Sequence, residues 1–298
     1  MIKQLQQLFS TAPKLWGTIL AFVYTLAFTL NATLVKLVSS DHHIVEIVFY
    51  RNFMALLIIA GIWGVIGNRG AIVRANIKAQ LVRGLLGTIT MGLTFASFAW
   101  LTISEAQALK FSAPLFVVLL SYPLLREKVG IYRAGAAIAG FCGLVLMTQP
   151  GIISSLTGGL VGVGAALGHA LVLLTLRWMG KSEHVMVTIT WFAAIGVVVA
   201  LPLMPFFAQI PDNHNLGLLC GIGLAGVLIQ LCLTQAYFLA PAALIAPMLY
   251  LNLVWAIGID LLIWGGLPDA GVFAGAGLII AANLFIFWRE RRISATAQ

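Results

Sequence analysis

The stretch Ser104–Leu125, "SEAQALKFSAPLFVVLLSYPLL", decides how this chain is read. From Phe111 onward it is apolar enough to lie in a bilayer. Yet Lys110 stands at its edge, with Glu105 and Gln107 before it and Pro114 after. A hydrocarbon core is about 30 Å thick and needs about 20 mostly apolar residues per helix. A lysine near the centre of such a helix costs roughly 2.5–3.5 kcal/mol on insertion scales. Gln107 and Pro114 fall at i−3 and i+4 of Lys110, on one helix face. A lipid-facing stripe would not read Gln, Lys, Pro, so the spacing predicts a face turned to a central cavity. The alternative is that Lys110 snorkels along its own stem to the outer surface.

The rest of the chain agrees with a membrane reading. Of 298 residues, 61% are hydrophobic and 9% charged, against about 25% charged in a soluble domain, so much of the surface must face lipid. Apolar runs of spanning length begin near Leu15, Ile44, Leu85, Ile103, Tyr132, Gly158, His184, Leu216, Pro241 and Asp269. They are separated by "SSDHH", "GNRG", "TQPG", "MGKSE", "IPDNHN", "LAPA" and "GGLPD". This predicts an all-α membrane protein of ten helices. The break between spans three and four, around Thr102 to Ala106, is the least marked. The N-terminus carries no cleavage pattern, and the first apolar run exceeds a signal-peptide h-region, so it is expected to remain as span one.

The net charge of +8 would raise nucleic acid as a partner in a soluble protein. Here the cations alternate with the spans. Lys3 and Lys14 precede span one. Arg69, Arg74, Lys78 and Arg83 separate spans two and three, and Arg126, Lys128 and Arg133 separate four and five. Arg177 and Lys181 separate six and seven, and Arg289, Arg291 and Arg292 follow span ten. The loops of the other side carry no Lys or Arg. The positive-inside rule then places both termini in the cytoplasm, in the inner (plasma) membrane of a cell, and no basic–aromatic patch argues for nucleic acid. Cys142, Cys220 and Cys232 lie in apolar runs without Cys-x-x-Cys spacing and read as small buried hydrophobes.

The two halves read alike. "YRAGAAIAGFCGLVL" at Tyr132–Leu146 aligns with "VFAGAGLIIAANLFI" at Val272–Ile286. Before each lies an apolar span with a nearby proline, Pro114 in one, Pro241 and Pro247 in the other. The repeat unit is five spans, residues 15–149 and 156–288. An odd number makes the copies cross in opposite directions, the arrangement of secondary transporters with a midplane site.

The stretches "EIVFYRNFMALLIIA" (46–60), "ISEAQALKFSAPLFVVLLSYPLLREKVGIYRAGAAIAGFCGLVL" (103–146) and "APAALIAPMLYLNLVWAIGIDLLIWGGLPDAGVFAGAGLII" (240–280) resemble the drug/metabolite transporter superfamily, and within it the EamA-type carriers. The resemblance implies a ten-helix carrier of two EamA repeats working by alternating access. It also implies an acidic turn at the end of the fourth span. Glu127 keeps that turn in the first copy, while Leu267 stands at the position in the second.

Few ionisable residues lie in or near spans. Lys110 and Arg51 are read as substrate-binding, a guanidinium fork being suited to a carboxylate. A structural pair of Arg51 with Glu105 or Glu46 is the competing reading. Glu105, Glu46, Lys36 and Asp260 are read as gate residues or structural ion pairs near the outer ends. Gln107, Asn31, His169, Gln230 and Asn252 are polar candidates for the site, with Gln235 in span eight and Asn283 in span ten. Interhelical hydrogen bonding is the alternative for each. Tyr250 and Trp255 could stack on a substrate ring. Glycine spacings at Gly158, Gly162, Gly164, Gly168, Gly271 and Gly275 predict close helix packing, with Gly164 expected to be sensitive to a larger side chain. His42 or His43 with Glu46 could offer two metal ligands but no third, so no metal or cofactor is expected. No nucleophile–base set, phosphate loop or catalytic carboxylate pair suggests an enzyme. The expected partners are a small-molecule substrate and the lipid bilayer, with a monomer plausible. The substrate expected is amino-acid-like, S-adenosylmethionine-like or another carboxylate- or ring-bearing solute. A membrane-embedded enzyme and a channel or scaffold are the alternatives.

Overall fold

The computed structural model of the chain describes residues 12–66, 76–126, 130–179 and 185–296. Lys3, Arg69, Arg74, Glu127, Lys128 and Lys181 lie outside them. Among the described residues the regular elements are helices and no strand forms. They are α1 (Pro13–Val38), α2 (Ile44–Ile66), α3 (Ile77–Trp100), α4 (Ile103–Lys110), α5 (Ala113–Leu125), α6 (Ile131–Met147) and α7 (Leu156–Met179). After these come α8 (Val185–Ala200), α9 (Met204–Phe207), α10 (Asn213–Leu239), α11 (Ala242–Met248), α12 (Leu251–Ile259) and α13 (Ala270–Thr296). A π-helical turn, Asp260–Trp264, extends α12.

Among the described residues, 9 helical segments are long and apolar enough to cross a membrane, and the shorter Ile131–Met147 is the tenth candidate. The ten sequence-predicted spans therefore each have a helix. Span four is α4 with α5, and span nine is α11 with α12. Local chemistry sets the ends. Pro13 opens α1, where its missing N–H costs nothing. Thr102 and Glu105 form a capping box at α4, Thr102 Oγ1 accepting from Glu105 N and Glu105 Oε2 accepting from Thr102 N at 2.9 Å. That box is the boundary the hydropathy pattern left indistinct. Asp212 caps α10 by accepting from Asn215 N at 2.8 Å.

One boundary differs from the sequence reading. Span three begins at Ile77, not near Leu85, so Arg83 lies inside the span and is buried. Hydropathy treats an arginine as a loop residue, but this one faces the protein interior.

Spans four and nine are both broken. α4 stops at Lys110 and α5 starts at Ala113, with Pro114 in its first turn. α11 stops at Met248 and α12 starts at Leu251. The breaks meet each other, with the Phe111 and Tyr250 rings 4.9 Å apart and edge-on. Backbone carbonyls freed at a break must be satisfied inside the protein. Asn283 Nδ2 donates to Phe111 O at 2.7 Å, and Asn252 Nδ2 donates to Leu249 O at 2.9 Å.

The halves interlock. Span one packs on span eight and span three on span six; spans two and eight touch, as do seven and three; span four lies on six and span nine on one. Spans two and seven, four and nine, and five and ten form the remaining main contacts across the halves. Exchanging each span for the one five positions away maps these pairs onto one another.

Glycines admit the closest crossings. A Cβ on Gly143 would stand 2.7 Å from Gly275 O, where spans five and ten touch. On span six, a Cβ on Gly158 or Gly162 would meet Leu101 or Leu109 at 2.8 and 2.6 Å, and one on Gly168 would overlap Thr90 Oγ1. Gly164 differs from the expectation: a Cβ there would find only Leu93 Cδ1, at 3.8 Å, an ordinary contact. Of the cysteines, Cys232 is buried, Cys220 half-buried and Cys142 exposed; all three are free thiols.

Candidate functional site

A cavity of about 290 Å³ lies between the halves, walled by spans one, two, three, four, six, seven and eight. Lys110, Arg51, Asn31, His169 and Gln230, all sequence candidates, line it. So does Arg83, which the sequence reading counted as a loop cation.

The three cations fall into two groups. Arg51 and Arg83 bracket one ring: their guanidinium carbons stand 5.2 and 4.6 Å from the Phe192 centroid. Arg51 Nη1 donates to Asn52 Oδ1 at 3.0 Å, and Asn52 Nδ2 donates to Val48 O at 2.8 Å, which fixes that amide. Gly226 leaves room for this arginine, since a Cβ there would lie 2.8 Å from Arg51 Nε. Arg83 Nε and Nη1 are buried and meet no protein acceptor. The other group is Lys110, whose Nζ sits 3.3 Å from the Phe28 centroid, together with His169. His169 Nδ1 lies 2.9 Å from Ala165 O, so this nitrogen carries the proton and Nε2 is left for other partners. Asn31 Nδ2 donates to Ile222 O at 3.0 Å, which ties span one to span eight at the cavity wall.

No Asp or Glu is among the residues lining this cavity. The buried carboxylates are engaged elsewhere, which removes the expected pair of Arg51 with Glu46 or Glu105. Glu46 Oε2 lies 2.6 Å from Nδ1 of His42, in the turn just before its helix. Glu105 accepts from Ser154 N at 2.9 Å and Ser154 Oγ at 2.5 Å besides closing the capping box. Asp260 accepts from Ile103 N (3.0 Å), Ser104 N (2.8 Å) and Ser104 Oγ (2.5 Å), so a carboxylate of span nine caps the first turn of span four. Lys36 Nζ donates to Leu101 O and stands 5.2 Å from the Trp264 centroid. Among the described residues, His42–Glu46 is the one acid–base pair within salt-bridge distance. Glu105, Asp260 and Lys36 thus act through hydrogen bonds to backbone and hydroxyl groups, not through ion pairs. His42 already bonds Glu46 and His43 stacks on Phe207 at 4.2 Å, so these groups serve local packing.

The remaining candidates lie elsewhere. Gln107, Lys110 and Pro114 do not share an inward face. Gln107 is wholly buried, with both side-chain polar atoms lacking a protein partner. Pro114 lines a separate pocket of about 240 Å³ with Pro247, Tyr250 and Asn283. The break at Phe111–Ser112 parts Pro114 from the face of Lys110, because i, i+4 spacing holds only along a continuous helix, whereas Gln107 shares α4 with Lys110 and is buried. Asn252 bonds the Leu249 carbonyl. Trp255 donates to Thr25 Oγ1 at 3.2 Å and lines an apolar groove of spans one, eight and nine. Among the cavity residues missed in the sequence are Arg83, Tyr24, Phe28 and Phe192, of which Arg83 alone carried a readable sign, being a cation within an otherwise extendable apolar helix.

The described residues thus form ten spanning candidates, the fourth and ninth broken, around a cavity between the halves. Residues 15–149 match the EamA-like transporter family. The chain is similar to the pseudopaline exporter of Pseudomonas aeruginosa strain UCBPP-PA14, at 29% identity over 89% of this chain and 94% of that protein. It is also similar to the S-adenosylmethionine uptake transporter of Rickettsia prowazekii, at 26% identity over 89% of this chain and 90% of that one. A solved crystal structure with 16% identity covers 93% of this chain and 98% of its own, with a TM-score of 0.61; it shows the shared fold. The chain is a multi-pass inner-membrane protein, and the relatives above are named as transporters of small metabolites.

Proposed function

We propose that this protein is a secondary carrier that moves a small organic anion, with a ring or other apolar body, by alternating access. The halves are two inverted five-helix repeats, residues 15–149 and 156–288, with both termini in the cytoplasm. The interlocking of each span with its counterpart five positions away supports the repeat. The substrate sits in the cavity bounded by Arg51, Arg83, Lys110, Asn31, His169 and Gln230.

One observation carries this reading: three cations converge on a cavity whose lining contains no carboxylate. A charge taken from water into a protein interior is costly unless a counter-charge or good hydrogen bonds replace its hydration. A carboxylate-bearing solute supplies both. Phe28 and Phe192 give the apolar body something to pack on. The relatives named for pseudopaline export and S-adenosylmethionine uptake fit a metabolite of that size, and leave export and uptake equally open. The test is saturable flux of labelled amino acids, S-adenosylmethionine and dicarboxylates in proteoliposomes. Flux of at least one carboxylate-bearing solute, reduced by Lys110→Gln, is expected. Conversion of the solute in detergent, or conductance that does not saturate, would show an enzyme or a channel instead.

A further inference from the structure

We infer that the carried solute bears two separated anionic groups, one held by the Arg51–Arg83 pair and the other by Lys110. This rests on the carrier reading above and sharpens its substrate class.

The cations sit at two levels of the cavity. Arg83 Nη1 reaches beside Gly87, where a Cβ would stand 3.2 Å from it. Arg51 shares Phe192 with Arg83, which puts both guanidinium groups at that level. Lys110 lies over Phe28, and Phe28 packs on Phe98 with centroids 6.3 Å apart. Gly87 and Phe98 are on one continuous helix, α3. At 1.5 Å per residue their levels differ by roughly 16 Å, and the 3.3 and 6.3 Å contacts that link Lys110 to Phe98 through Phe28 leave a gap on the order of 7–16 Å. Over most of that range a single carboxylate does not reach both groups at hydrogen-bond distance. Between the levels, α3 presents Thr90, Met91, Thr94 and Phe95 to the cavity. The Thr90 and Thr94 hydroxyls lie against this mostly apolar stretch, and Thr94 Oγ1 is already spent on Thr90 O at 2.7 Å. The middle of the site therefore suits a carbon chain or ring, and its two ends suit anions.

The charge count points the same way. A zwitterionic monocarboxylate brings no net charge to a cavity with three cations, and its ammonium group would meet no carboxylate in the lining. Two carboxylates leave a net single positive charge, which His169 Nε2 and the Gln230 amide surround with neutral polar groups. Arg83 Nε and Nη1, which have no protein acceptor, are the donors at the arginine end. A planar guanidinium holds a carboxylate at two points, while the lysine holds the far end as a point charge.

Purified full-length protein in nanodiscs tests this with matched probes. These are α,ω-dicarboxylates from succinate to sebacate, straight-chain monocarboxylates from butyrate to decanoate, and phenylalanine as a zwitterion. Binding is read from the ligand-dependent rise in melting temperature. Dicarboxylates are expected to bind more tightly than monocarboxylates of equal length, with an optimum among the longer members. Arg83→Gln and Lys110→Gln should each weaken the best dicarboxylate about 10- to 100-fold, to the monocarboxylate level. Arg83→Lys and Lys110→Arg keep the charge and should retain the preference, which separates loss of charge from a folding defect. If monocarboxylates or phenylalanine bind as tightly as dicarboxylates, and still lose affinity in Lys110→Gln, the two-anion inference falls while the anion carrier stands. If no acid binds and neither glutamine variant changes proteoliposome flux, both readings fall.

Discussion

Lys110 is the residue on which the chemistry turns. Its ammonium is covered by the Phe28 ring and has no carboxylate partner, so its role is to be met by something that enters. Replacing it with glutamine keeps length and polarity but removes the charge. The interaction is with bound solute, so the loss should appear mainly as a raised KM, by about tenfold or more, with a smaller change in maximal rate. Initial rates in proteoliposomes over a concentration series check this. Arg83→Gln should behave likewise, although hydropathy alone assigned Arg83 to a loop. The sequence made Lys110, Arg51, Asn31, His169 and Gln230 visible because each is a polar group that a lipid-facing helix has no use for. It hid Phe28 and Phe192, because an aromatic residue in a membrane helix looks the same whether it faces lipid, core or ligand. Tyr250, Asn252 and Trp255 lie away from this cavity: Tyr250 lines the pocket with Pro114, Asn252 bonds the Leu249 carbonyl and Trp255 donates to Thr25.

At the scale of the element, the breaks in spans four and nine are what hydropathy could not show. Ten spans were legible because each is a long apolar run between turn signals and cations. The split of span four into α4 and α5 leaves no trace in hydropathy, and Pro114, though visible, is compatible with a continuous span as well as a new first turn. The first turn of α4 depends on span nine, through the three hydrogen bonds accepted by Asp260. Asp260→Ala should therefore destabilise the protein by about 1–3 kcal/mol, seen as a lowered melting temperature in detergent; an unchanged melting temperature would count against this cap. Glycine packing gives a paired prediction. Gly168→Val should weaken the span three–span six contact, because its Cβ overlaps Thr90 Oγ1. Gly164→Ala should leave both stability and flux near wild type, since space is available there. Equal effects of the two substitutions on melting temperature would contradict the packing described.

For the whole molecule, alternating access requires the two halves to move against each other. The contact of Ser104 with Asp260 joins span four of one half to span nine of the other. If alternating access separates these ends, a disulfide between Ser104→Cys and Asp260→Cys should arrest transport, and reductant should restore it. Flux that is indifferent to oxidation of that pair, with the cross-link verified, would mean the ends do not part. The measurement closest to the central claim is proteoliposome flux of the best dicarboxylate for the wild type beside Lys110→Gln and Arg83→Gln. Saturable flux is expected in the wild type, with a KM raised about tenfold or more in each variant. Saturable wild-type flux with unchanged KM in both variants would place the substrate outside this cavity and contradict that claim.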